Sequence, residues 1–157
     1  MIAALLAVFL AQAVPKPSDF PITEVFKGTP AAPKLTTAGQ KAYRTLIREW
    51  AAKGPNFAGH YALAQWGCGA GCLQIAVVDL KTGAVYEGPF GALRKATMCL
   101  EGTPEAPGIA FQRESALLVL KGCPDFKNCG AYYYQWTGSE FKLLRRDLLA
   151  QTPNCQP

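Results

Sequence analysis

The sequence predicts an α+β fold: an antiparallel, meander-like sheet or small curled barrel with one packed N-terminal helix, stapled by disulfides. Three observations predict it. Half of the 157 residues are hydrophobic and only 17% are charged, enough apolar surface for an ordered single core. The 15 glycines and 12 prolines argue for short strands joined by many turns. Apolar residues recur with helical spacing in one long stretch and with strand-like alternation in several others.

The chain begins with an apolar run from Ile2 to Leu10, too short to span a bilayer, which takes about 20 residues. Ala11-Gln12-Ala13 follows, the small-residue pattern of a cleavage site, so residues 1–13 are expected to be a signal peptide. No cysteine stands at the cleavage point, so a lipid anchor is not expected. Residues 14–35 carry five prolines and little periodicity, an irregular leader with Glu24-Val25-Phe26 as a candidate edge strand. Residues 36–157 are expected to form one domain.

The helix begins at Thr37, which has capping-box spacing to Gln40. Tyr43, Leu46, Ile47 and Trp50 then form an apolar stripe, and Gly54-Pro55 supplies the stop. Lys41, Arg44 and Arg48 share the opposite face. Their simplest role is solvation, and the alternative is an anion-binding row. Alternation from Ala58 to Trp66 places His60, Ala62, Ala64 and Trp66 on one side and Tyr61, Leu63 and Gln65 on the other. Leu73 to Leu80 is nearly all apolar, a central strand, returning through Asp79-Leu80-Lys81-Thr82-Gly83 to Ala84-Val85-Tyr86. The stretch 88–108 shows no assignable element. Two further hairpins are expected, from Ile109-Ala110-Phe111 to Ala116–Lys121 and from Ala131–Trp136 to Glu140–Leu144, with a short helix at Arg146–Ala150.

Six cysteines behind an export signal imply up to three disulfides in an oxidising compartment. Cys68 and Cys72 flank a flexible Gly69-Ala70-Gly71 loop, and Cys123 and Cys129 bracket a short proline-containing connection. That pairing leaves Cys99 with Cys155; a Cys72–Cys99 bridge is the rival arrangement.

The helix followed by G-P-N-F-A-G-H-Y, W-G-C-G-A-G-C and V-D-L-K-T-G-A-V-Y resembles a family of small exported bacterial proteins with no assigned activity. The likeness covers roughly the middle third of the chain and the tyrosine-rich C-terminal hairpin. It implies export and a compact fold, and it carries no catalytic residue.

The sharpest enzymatic possibility pairs His60 with a free cysteine, because a thiolate beside an imidazole is an acyl-transfer nucleophile. The segment Gln65–Cys72 resembles the loop of papain-like cysteine proteases but departs from it. An extra residue separates the cysteines, and His60, the only histidine, lies upstream. The S-H-G-C-x-R pattern of cysteine transpeptidases is absent. One histidine cannot build a multi-histidine metal site, and the cysteine spacings suit disulfides better than zinc. No C-x-x-C-H, nucleophile elbow or phosphate loop occurs, so no cofactor or metal is expected.

Tyr132, Tyr134 and Trp136 alternate onto one face, a pattern suited to a binding platform or to a sheet buried on both faces. Asn56, His60 and Trp66 are candidates to join that surface. His60 is most simply a group hydrogen-bonded across the sheet, with a ligand-facing role as the alternative. The expected protein is a monomeric periplasmic or secreted binding module, possible roles being inhibition or immunity in the cell envelope. Its partner would be a protein or an envelope polymer; nucleic acid binding and a membrane span in the mature chain are not expected. The net charge of +5 leaves anionic polymers open as targets of the basic row.

Overall fold

The computed structural model describes residues 13–94, 108–124 and 128–150. Two helices, α1 (Ala38–Ala42) and α2 (Arg44–Ala52), precede strands β1 (Tyr61–Gly67), β2 (Cys72–Asp79), β3 (Val85–Glu87) and β4 (Leu93–Arg94). Strands β5 (Gly108–Phe111), β6 (Leu117–Gly122), β7 (Gly130–Trp136) and β8 (Phe141–Leu148) complete the described fold. All pairings between these strands are antiparallel. The first sheet runs β1-β2-β3, with β4 on the same edge of β2 as β3; the second runs β5-β6-β7-β8. Neither closes into the curled barrel offered as an alternative. The sheets join at one corner, where Arg94 and Cys123 exchange two backbone hydrogen bonds of 3.0 and 2.8 Å.

Three layers follow from the burial pattern. Phe57, Tyr61, Leu63 and Val77 of the first sheet and its flank meet Leu118, Leu120, Tyr132, Tyr134 and Trp136 of the second in the main core. On the other face of the first sheet, Ala62, Val78 and Leu80 pack under Ile47 and Ala51 of α2. The strand β2 therefore has both faces covered, which is why it reads as a continuous apolar run. The small side chains of Ala51 and Ala62 let helix and sheet close together.

The capping box is formed: Thr37 Oγ1 accepts from the Gln40 N–H at 3.1 Å, and Gln40 Oε1 accepts from the Thr37 N–H at 3.3 Å. The expected single helix, however, is two. Tyr43 leaves helical geometry at φ −103°, ψ 21° and lays its ring on Trp66, centroids 4.9 Å apart. Leu46, expected in the buried stripe, is 37% exposed, because α2 turns Ile47 and Ala51 inward instead. The expected C-terminal helix is replaced by a longer β8, held in register by pairs from Trp136↔Phe141 to Gly130↔Leu148.

The leader lies along the body rather than adding a strand to it. Ile22 N–H donates to Glu114 O, Phe26 N–H to Gly59 O, Ala31 N–H to Leu80 O and Lys34 N–H to Gly83 O, at 2.8–3.0 Å. Residues 24–26 form no strand. The leader passes so close to Gly59 that a Cβ there would stand 2.5 Å from Glu24 O. Cys68–Cys72 and Cys123–Cys129 are disulfide-bonded, as expected. Cys99 and Cys155, and most of the expected signal peptide, lie outside the described residues. No helix among the described residues is long and apolar enough to cross a membrane.

Candidate functional site

The aromatic face of β7 points into the molecule. Tyr132, Tyr134 and Trp136 are 4, 6 and 4% exposed. Trp136 meets Tyr61 and Tyr86 edge-on, both at 5.3 Å, and Phe90 does the same to Tyr132 and Tyr134 at 5.3 and 5.7 Å. Burial, and secondarily Tyr132, pushes the Tyr134 phenol up to about 12. These rings are core, not the platform that alternation alone allowed, and Trp136 borders a surface concavity.

Asn56 closes a strand edge. Its Oδ1 accepts from the Leu63 N–H at 2.7 Å and its Nδ2 donates to Leu63 O at 3.1 Å, on the side of β1 that faces away from β2. Trp50 Nε1 donates to Gln65 O at 3.1 Å farther along the same edge. One amide and one indole thus replace a missing neighbouring strand. Trp66 lies on the helix side of the sheet, donating from Nε1 to Gln74 Oε1 at 2.9 Å. Of the six proposed ligand residues, His60 and Trp136 therefore line one groove together, and Asn56, Trp66, Tyr132 and Tyr134 lie outside it.

What does converge is a groove at one end of the two sheets. Glycine and alanine create it: Ala58 and Gly59 take φ of +41° and +82°, turning the chain sharply before β1. A left-handed alanine is uncommon and costs on the order of 1–3 kcal/mol. This turn, not the strand, carries His60, so His60 sits one position before the ladder that begins at Tyr61↔Asp79. The groove, about 460 Å³, is lined by His60, Tyr61, Lys81, Glu24, Trp136 and Thr137 among others. Its wall comes from the leader, the Ala58–His60 turn, the β2–β3 hairpin tip and the end of β7.

His60 Nε2 stands 3.8 Å from Asp79 Oδ1, beyond hydrogen-bonding distance. The carboxylate is already engaged by the Lys81 N–H at 2.8 Å, the Thr82 N–H at 3.3 Å and Thr82 Oγ1 at 2.9 Å. Burial lowers the His60 pKa below 6.5 and the Lys81 charge adds to the effect, while Asp79 opposes both. The imidazole is thus held toward its neutral form. Beneath it, the Tyr61 hydroxyl donates to Gly138 O at 3.2 Å, and burial raises its pKa while the nearby Trp136 indole pulls the other way. Trp136 Nε1 is buried without a well-directed hydrogen-bond acceptor. Lys81, Glu24 and Tyr61 are functional candidates that sequence reasoning passed over. The Asp79–Gly83 hairpin was the available signal for Lys81, since pairing it with β1 brings its tip beside His60.

The described cysteines lie elsewhere and are oxidised. The seven residues of β1 lie between His60 and Cys68, eight steps or about 26 Å at strand rise, so they cannot act as a dyad. Lys41, Arg44 and Arg48 are exposed on the helices and form no ion pair among the described residues. No group of metal-ligating side chains occurs among the described residues. No protein-family model, curated protein or solved structure matches this chain.

Proposed function

We propose that this protein is an exported binding module whose groove beside His60 receives an extended segment of a partner protein in the cell envelope. Export is supported by the signal-like N-terminus together with disulfides suited to an oxidising compartment. The observation that carries the binding role is the groove's composition. A histidine, a lysine and a glutamate surround an aromatic floor. Such a surface offers apolar contact with polar groups of both signs at its rim, as protein-recognition sites do. The strained turn that presents His60 fits a site held in place for contact. An inhibitor or immunity-type role accords with this reading.

A second reading draws on the unpaired row Lys41, Arg44 and Arg48, which would attract an anionic envelope polymer. One capture experiment from native envelope extract separates the two. Wild-type protein and a Lys41→Gln/Arg44→Gln/Arg48→Gln variant should retain the same protein partner, and Lys81→Glu should lose it at least tenfold, about 1.4 kcal/mol. A partner still retained by Lys81→Glu overturns the groove reading. Material lost in the triple variant and eluted by moderate salt points to the polymer.

A further inference from the structure

On the opposite side of the first sheet, the break at Tyr43 opens a second cavity of about 230 Å³. Tyr43 and Trp66 line it with aromatic side chains and Ile47 with an aliphatic one, Gln40, Gln74 and Glu87 are its polar side chains, and Ile75 and Phe90, which pack against the main core, border it. At this size it suits a ligand smaller than the occupants of typical 300–1,000 Å³ sites.

The polar groups decide what that ligand can be. Gln40 Oε1 accepts from the Thr36 N–H at 2.8 Å, and Gln40 Nε2 donates to Val85 O at 3.3 Å. Gln74 Oε1 accepts from Trp66 Nε1, and Gln74 Nε2 donates to Gly91 O, both at 2.9 Å. The indole N–H, the Gln40 carbonyl oxygen and one N–H of each amide are therefore engaged within the protein. A sugar or other neutral polar molecule would find only the remaining N–H of each amide and no charged partner among them. Glu87 is different: it receives a hydrogen bond from Thr37 Oγ1 at 3.3 Å and has no cationic partner among the described residues. Among the described lining residues the one formal charge is thus a carboxylate without a cationic partner, beside the rings of Tyr43 and Trp66. This combination repels anions and attracts weakly hydrated cations, whose charge the ring faces stabilise.

We infer that this cavity binds a small organic cation of the alkylated ammonium class, with Trp66 and Tyr43 against the alkyl groups and Glu87 supplying the counter-charge. The site is independent of the groove beside His60, so either stands if the other falls.

The test titrates the full chain with choline and with its neutral carbon isostere, in which a tert-butyl group replaces the trimethylammonium head. The readouts are the Trp66 indole and Tyr43 ring resonances. Choline should shift both and bind about tenfold more tightly than the isostere, the preference expected of cation–π contact with a nearby carboxylate. Glu87→Gln, at an exposed position, should weaken choline several-fold and leave the isostere unchanged, while Trp66→Leu should weaken both. Equal affinity for the two probes would show an apolar hole without charge recognition and overturn the inference. So would choline shifts elsewhere in the protein, or no shifts at millimolar probe.

Discussion

His60 and Asp79 are near enough to attract if the imidazole is charged, yet the surroundings of His60 favour its neutral form. Desolvation is the larger influence and Lys81 the next, both lowering the pKa, and Asp79 at 3.8 Å does not reverse them. Asp79 is a weak partner because its oxygens already serve the hairpin turn. The consequence for stability has a definite sign. With a folded pKa below the unfolded 6.5, the unfolded chain takes up the proton first as the pH falls. Stability is full above 6.5, declines as the pH passes down toward the folded value, and levels off below it. Wild-type protein should therefore lose melting temperature relative to His60→Gln between pH 7 and about pH 5. Because this is the only histidine, the difference isolates one site. If acid instead raised the relative stability of the wild type, attraction to Asp79 would outweigh burial and the Lys81 charge together.

At the scale of elements, the edges of the sheets explain more of the surface than any pocket does. One edge is closed by side chains, Asn56 and Trp50 on β1. The eight-residue β8 ends the other sheet and carries exposed Leu143 and Leu148, a liability for self-pairing. Lys142 and Arg146 guard it. In a two-fold antiparallel pairing centred on Leu144, Lys142 would face Arg146 of the second copy. Like charges placed directly opposite oppose pairing by roughly 0.2–1 kcal/mol each. Replacing Lys142 and Arg146 with threonine should therefore favour self-association about tenfold, read by sedimentation equilibrium. A variant no more associated than the wild type would mean that the charges do not protect this edge.

For the whole molecule, what was legible in the sequence was local. The Thr37–Gln40 cap, the doubly buried β2 and the hairpin at Gly83 each follow from neighbouring residues, and each is present. What was illegible depends on distant segments. Tyrosine and tryptophan suit either a wet or a dry face, so β7 alone could not reveal that Tyr132, Tyr134 and Trp136 turn inward. The groove escaped because residues 21–24, 58–61, 81 and 136–138 meet only after the leader is laid down and both sheets form. The same long-range logic separates the two described disulfides. Cys123–Cys129 is 0 and 2% exposed, and Cys123 also forms the corner that joins the sheets through Arg94. Cys68–Cys72 merely closes the β1–β2 tip, with Cys72 buried but Cys68 half-buried and Gly69 and Ala70 exposed between them, so that attack comes at the Cys68 sulfur. A reductant must open the molecule to reach the first pair but can approach the second in the folded state. Brief dithiothreitol treatment under native conditions, followed by alkylation and peptide mass spectrometry, should label Cys68 and Cys72 at least tenfold faster than Cys123 and Cys129. Mild denaturant should narrow the gap as the joined corner opens. Equal or reversed labelling would mean that the corner opens as readily as the hairpin tip, and that the two sheets are not locked together there.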